Sequence, residues 1–473
     1  MGHAALAVHL MLLGLGLILL VGCTQPLLLT PHATRVEDRQ CLEEFRQLDE
    51  ALARSGLRDS EGVAPSGIPY LRIDRFLASY ASELSNHEVR SAWLAAAAGL
   101  DASARAAELA NVASLHRGRL PGLKRLAQCR AQLVTRLMDN SALTQKMAAT
   151  EIPDEYSDWG RVLGLYPLAA HFARAGIRRL HRDHPVTTHA LSGSTPAITY
   201  RWPTPRPKVL GEFSTFPRDA LGRVQIGSSE LAQRFALHAP LWTVASHSDD
   251  DQIGQVLWRD GRIEIDTSTP VLYHYASFTR FAHVALLQLN YVVWFPARTA
   301  ESRFDLLAGH LDGMTWRVTL DADGTPLLYE AMHNCGCYHQ FYPTDRLRQR
   351  PQQDAEEPLW VPMALSPGPL ALTLAAGTHY VLAITNASGR GVPVALRDYD
   401  ELRSLPYASS RRGLFGNDGI VWSSSRTERF VLWPLGVPAP GAMRSRGHHA
   451  SAFIGRRHFD DPNLIERYFE RSP

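Results

Sequence analysis

An α+β protein is predicted, with a helical N-terminal domain followed by a larger, mainly antiparallel β domain of sandwich or barrel-like form. Two patterns carry this expectation. Apolar residues recur at three- and four-residue intervals between 36 and 184, whereas from 219 to 435 they alternate with polar ones. Between the two, residues 185–218 are rich in Pro, Thr and Ser around Trp202-Pro203-Thr204-Pro205-Arg206-Pro207, which reads as a linker or an extended arm.

In the helical part, Cys41, Phe45, Leu48 and Leu52 share one face and Gly56 ends the segment. Ser85 with Glu88 forms a capping box that opens a helix carrying Val89, Trp93 and Leu94. Asp101 is placed to cap the Ala-rich stretch after it. Pro121-Gly122 introduces a further helix whose apolar face holds Leu123, Leu126, Cys129, Leu133 and Leu137. After a break at Ile152-Pro153-Asp154, residues 156–182 carry Trp159, Leu163, Leu165, Phe172 and Ile177. Gly160, Gly164 and Pro167 kink or break that helix.

The β part shows its clearest alternation at Val271, Tyr273 and Tyr275 and along Leu287, Leu289, Tyr291, Val293 and Phe295. Trp316, Val318 and Leu320 run into Asp321-Ala322-Asp323-Gly324, a hairpin turn with Gly where a positive φ is wanted. Leu370, Leu372 and Leu374 pair across Ala376-Gly377-Thr378 with Tyr380, Leu382 and Ile384. Residues 345–357 read as a solvated excursion. Residues 436–473 form an irregular tail with a short helix near Asn463 to Phe469.

The first residues are MGHAALAVHLMLLGLGLILLVGC, apolar from Leu10 to Val21 apart from Gly14 and Gly16. Ending in Leu20-Val21-Gly22-Cys23, this segment resembles the lipobox signal of bacterial lipoproteins. The resemblance implies a signal peptide over residues 1–22, acylation of Cys23, and a tether over 23–35. Each buried acyl CH2 contributes about 0.8 kcal/mol to anchoring. Thr24 follows the lipidated Cys where Asp would favour inner-membrane retention, so the outer membrane is the expected location. The n-region has no Lys or Arg, and the apolar stretch approaches the length of an uncleaved membrane anchor. Export also favours a disulfide between Cys41 and Cys129 over two buried thiols.

Composition narrows the remaining classes. Lys and Arg total 49 against 47 Asp and Glu, a net charge of +2, which argues against a nucleic-acid partner. Nearly all the basic residues are Arg, from codon bias or as a surface for phosphate or carboxylate groups. The best later apolar run, Val284 to Phe295, is short and holds Gln288 and Asn290, so it does not read as a membrane span. The protein or small-molecule partner is not specified by the sequence.

No phosphate loop, dinucleotide fingerprint, G-x-S-x-G elbow, S-x-x-K, H-E-x-x-H or C-x-x-C-H is found. The dense cluster is His333-Asn334-Cys335-Gly336-Cys337-Tyr338-His339, where His, Cys, Cys and His take every second position, as on one face of a strand. Three readings stay open. Cys335 and Cys337 with one His suit zinc or copper, although His333 and His339 would sit about 20 Å apart on a straight strand. A Cys-Gly-Cys pair also suits thiol–disulfide chemistry, or a structural disulfide or pair of packed thiols. A second concentration runs from Arg446-Gly447-His448-His449 to His458-Phe459-Asp460-Asp461. It reads as a solvated polar tail unless it packs over the sheet, where His448 or His449 would complete a metal shell. Asp249-Asp250-Asp251 reads as a turn rather than a calcium loop. Trp242, Trp258, Trp294, Trp316, Trp360 and Trp422 read as core and rim of the β domain, with a binding cleft as the alternative.

The functional expectation is a lipid-anchored envelope binding or assembly module without catalysis, its His/Cys cluster binding metal structurally. The alternative is a metal- or thiol-dependent enzyme centred on Cys335, Cys337 and His339. Labelled palmitate is expected to mark the wild type and not a Cys23→Ala variant; equal labelling refutes acylation at Cys23.

Overall fold

The computed structural model describes residues 35–113, 120–189, 196–207, 210–352 and 355–473. The signal segment and Cys23 lie outside the described residues. Seven helices come first: α1 (Val36–Ser55), α2 (Arg75–Ala78), α3 (His87–Val112), α4 (Leu123–Leu137), α5 (Ser141–Ala148), α6 (Asp158–Leu163) and α7 (Tyr166–Asp183). α1 buries Cys41, Phe45, Leu48 and Leu52 as their spacing requires, and Gly56 closes it in the left-handed region at φ +65°. Cys41 and Cys129 are bonded, so a disulfide ties α1 to α4 across 88 residues of sequence.

Two local expectations shift. The N-cap of α3 is Asn86, whose side-chain oxygen accepts from the N–H groups of Glu88 and Val89, not Ser85. Asp101 starts no new helix, because α3 runs unbroken past it. Its buried carboxylate accepts instead from Arg105 Nε at 3.2 Å and Arg130 Nε at 2.9 Å. Glu108, one further turn pair along, meets Arg72 at 2.5 Å and Arg105 at 3.0 Å. The helical layer therefore has an ionic seam inside an apolar shell. As its glycines foretell, the later helix breaks between α6 and α7, at Gly164-Leu165, with Leu165 at φ +50°.

The second part comprises β1 (Ala197–Arg201), α8 (Ser228–His238), β2 (Leu241–Ala245), β3 (Gln255–Arg259), β4 (Arg262–Asp266), β5 (Val271–Phe281), β6 (Val284–Arg298), β7 (Gly309–Leu320), β8 (Pro326–His333) and β9 (Gln340–Pro343). After these come β10 (Leu347–Gln349), β11 (Leu370–Leu374), β12 (Val381–Asn386), β13 (Val392–Pro393), β14 (Ala395–Asp398), β15 (Leu405–Tyr407), β16 (Ser410–Arg412), α9 (Arg429–Leu432), α10 (Leu464–Tyr468) and β17 (Phe469–Arg471). Two sheets dominate. One has the order β14-β5-β6-β7-β8-β9 and the other β12-β11-β2-β1-β13. Most pairs are antiparallel, with parallel pairing at β14–β5, β11–β2 and β1–β13. No barrel closes.

The two sheets share one apolar core, in which Leu289, Tyr291, Val293, Trp316 and Val318 meet Trp242, Val244, Leu372 and Leu374. β1 lies within the Pro-rich stretch, so that stretch contributes a strand as well as a connection. At the end of the six-stranded sheet's core face, Phe278 of β5, opposite Leu287, packs against Phe76 at 5.9 Å, and Ala285 of β6 belongs to the helical core. The other face of the six-stranded sheet is covered too, where Leu464, Ile465 and Tyr468 of α10 pack with Leu286 and Phe341. The polar stretch expected to be solvated is largely exposed among its described residues, but it is tied down where β10 pairs with β17 and Leu347 is buried.

The Cys41–Cys129 crosslink restrains the unfolded chain strongly because its loop is long. Replacing both with Ala is expected to lower the unfolding free energy by about 2–4 kcal/mol, read by urea denaturation. An unchanged midpoint refutes this.

Candidate functional site

The histidine and cysteine cluster does not lie along a strand. β8 ends at His333, and residues 334–339 are the connection to β9. His333 N–H donates to the Cys337 carbonyl at 3.1 Å and Gly336 N–H to the His333 carbonyl at 2.7 Å. Gly336 takes φ +95°, and a Cβ there would stand 2.3 Å from the Ala450 carbonyl oxygen, so only glycine fits. Tyr338 also lies at positive φ. These turns send His333 and His339 to opposite faces of the six-stranded sheet. His333 lies beside Met314, which is in the sandwich core, while His339 joins Glu330 and Arg317 on the outer face.

On the inner side, His333 belongs to a buried charge network built from five segments. His379, stacked flat on Phe295 at 3.8 Å, directs Nδ1 to Asp312 at 2.8 Å and Nε2 toward Asp251 at 3.5 Å. Asp312 also meets His333 at 3.5 Å and Arg426 at 3.3 Å. Burial opposes charge on Asp312, yet these partners hold its carboxyl well below the usual range. Burial likewise opposes the His379 cation, but the two carboxylates raise its pKa. His333, desolvated and beside Arg298, is lowered despite Asp312. The surroundings thus favour the charged form of His379 and the neutral form of His333.

Cys335 and Cys337 are both free thiols. Cys335 is buried with Trp294, Leu311 and Met443. Its hydrogen bond, then burial and the nearby Glu428 carboxyl, push the Cys337 thiol well up, the reverse of what a nucleophile needs. Burial in the same place lifts Glu428 to about 7. The cavity they share with His333 and Asp312 measures about 10 Å³, room for one water at most.

On the outer face, Glu330 takes a two-pronged contact from Arg317, at 2.7 and 2.5 Å, and a hydrogen bond from His339 Nε2 at 3.0 Å. Burial lowers His339 to about 4. The tail does pack over this face, correcting the solvated reading. His448 Nδ1 lies 2.7 Å from Glu155 and its Nε2 is 2.9 Å from the Ser60 carbonyl, so both nitrogens donate. Burial opposes that charge, and Glu155 nevertheless raises the His448 pKa. His449 is taken down to about 3 by burial, and its Nε2 has no partner. The six residues expected as metal ligands, His333, Cys335, Cys337, His339, His448 and His449, are thus divided among separate environments. Among the described residues no group of three or more His, Cys, Asp or Glu is placed to share an ion. Asp251 is part of a short helical turn and accepts from Gly377 and His247 backbone N–H groups, not a calcium loop.

Two larger spaces lie where the helical layer meets the β layer. The outer cleft, about 780 Å³, runs between the α1 exit at Gly56–Ser60, the β3–β4 hairpin, and residues 412–423. Trp258 forms one wall, held edge-on by Tyr407 at 5.4 Å with Arg412 over its ring at 5.0 Å. Trp422 and Phe415 line it as well, whereas Trp242, Trp294, Trp316 and Trp360 are buried. Arg262 and Arg412 stand in this cleft without an ion pair among the described residues. At its floor Asn111, 6 % exposed, donates Nδ2–H to the Arg403 carbonyl at 2.9 Å, and its Oδ1 has no partner. Trp258 Nε1 is likewise buried and unpaired. Arg403 itself is filled, meeting Asp59 at 2.7 Å and Glu61 at 3.6 Å. Behind it lies a second cavity of about 370 Å³ that includes Glu61, Asp74, Tyr275, Arg446, His449 and Asp460.

No family model, curated protein or solved structure matches this chain.

The cleft residues come from segments hundreds of residues apart, and only the tryptophans signalled it in advance. The network residues Asp251, Asp312 and His379 had no local signature. Asp312→Asn is expected to cost about 3–5 kcal/mol, because two cations lose a buried counter-charge. His379 is raised above its ordinary 6.5, so its contribution is full below that value and is lost as pH rises through the raised one. Urea unfolding should therefore show the largest deficit at about pH 6, narrowing in alkali. Equal midpoints at about pH 6 refute the role.

Proposed function

We propose that the protein is a lipid-anchored envelope binding module, held to the outer membrane through acylated Cys23, that takes an acidic saccharide in its outer cleft. The reading rests above all on Arg262 and Arg412, which have no carboxylate partner among the described residues, Arg412 lying over the Trp258 ring in a cleft of about 780 Å³. That volume is of the size that encloses small ligands. A guanidinium fork suits a carboxylate in two-pronged fashion, and an indole face suits the apolar face of a sugar ring. A thiol-dependent enzyme at Cys335, Cys337 and His339 is disfavoured by the raised Cys337 thiol and by His339 facing away from it.

The probe is a digalacturonate titrated against tryptophan fluorescence, with a neutral disaccharide and inorganic phosphate as controls. Saturable binding of the acidic sugar is expected, weakening with salt. Loss of one charged hydrogen-bonding partner is worth about 1.5–3 kcal/mol, so Arg412→Gln should weaken binding about ten- to hundred-fold. Arg412 is exposed, so the variant keeps its fold. No saturable binding, or equal affinity in Arg412→Gln, overturns the proposal.

A further inference from the structure

A second surface lies away from the cleft. α6 and α7 bury no residue of their own, although the spacing of α7 is strongly amphipathic. They are nonetheless firmly seated. Ser157 N–H donates to the Gly436 carbonyl at 2.6 Å, Arg161 reaches the Leu435 and Gly455 carbonyls, and Gly164 rests directly on Pro434. Seating on this turn leaves the apolar side facing out. Trp159 is 78 % exposed and Phe172 75 %, with Val162, Leu163 and Leu168 also bare. The adjoining α9 turn adds Phe430, Val431 and Trp433. A soluble surface rarely groups so many large apolar side chains without a partner.

The charge beside them says which partner. Leu168 and Phe172 are four residues apart on α7 and share a face. The same helix carries Arg174, Arg178, Arg179 and Arg182 against Asp183 alone. Tryptophan and phenylalanine beside arginines on a helix that does not span make the pattern of a segment lying in a bilayer interface. A protein groove would match the apolar face but has no need of the arginine excess. We infer that α6, α7 and the α9 turn form a docking surface for an anionic lipid bilayer, with Trp159, Phe172 and Trp433 entering the headgroup region. This surface holds the body against the membrane. It is distinct from the ligand cleft, and it rests on the proposed acylation, which brings the body to the membrane.

The test uses the mature acylated protein on vesicles of phosphatidylcholine and phosphatidylglycerol with brominated acyl chains. Brominated lipid should quench a component of tryptophan emission that is missing from a Trp159→Phe, Trp433→Phe double variant. Quenching should fall in purely zwitterionic vesicles and in an Arg178→Gln, Arg182→Gln variant. At about 1 kcal/mol per arginine, each replacement lowers interfacial occupancy about five-fold. Vesicle-bound protein without that quenching overturns docking while leaving the anchor intact. Self-association in solution that Phe172→Ser abolishes overturns it in favour of a second copy of this chain. All the substituted side chains lie at the surface, and unchanged thermal unfolding verifies that each variant folds.

Discussion

The six-stranded sheet is buried on both faces from β6 to β9, and most of the surrounding structure follows from that constraint. An antiparallel sheet commonly gives one face to water. Here β8 and β9 are buried along their whole lengths, and β6 and β7 nearly so. Polar side chains on the outer face must then find partners inside the protein. Gln288 donates to Thr319 at 3.1 Å, Asn290 to Ser277 at 2.9 Å, and Arg317 closes on Glu330. Burial costs several kcal/mol for each ion, so these charges occur in closed sets. The C-terminal tail completes the cover, with Phe459 lying 3.5 Å from the Arg317 guanidinium and its carbonyl accepting from the same group.

This explains which parts of the architecture could be read from sequence. The alternation of Leu287, Leu289, Tyr291, Val293 and Phe295 is local and points one way, so the sandwich face was legible. The Cys41–Cys129 pair was legible because both residues sit on apolar helix faces. His333 to His339 also alternates, but alternation does not reveal backbone sign, and positive φ at Gly336 and Tyr338 turns a would-be strand into a loop. The tail misleads for another reason. Its arginines look solvated, yet Arg444 and Arg457 are buried and paired with Glu155 and Glu357. Hydrophobicity does not distinguish a solvated charge from a buried pair whose second member is a hundred or more residues away.

The same accounting separates structural arginines from those free to meet a ligand. Arg403 and Arg446 share Glu61 and Asp400, and an arginine so filled cannot take a further anion without releasing one. They form the partition between cleft and inner cavity. Arg262 and Arg412 stand on the β3–β4 and β15–β16 hairpins, where among the described residues no carboxylate pairs with them. The composition is arginine-rich throughout, so position rather than number identifies the pair available for recognition.

The apolar surface is tied to the buried charge network through α9. Arg426, at the entrance to this helix, donates to the Gly441 and Leu311 carbonyls at 3.0 Å and meets Asp312. Four residues later Phe430 is exposed, and Val431 follows it. The outward aromatic groups are therefore mounted on a segment fixed from below by a charge network, not on a free loop. Mounting of that kind reduces the ordering entropy that association must overcome. Under the proposed docking, modest apolar contacts would then be sufficient to orient the body, and the cleft with it, against a membrane surface.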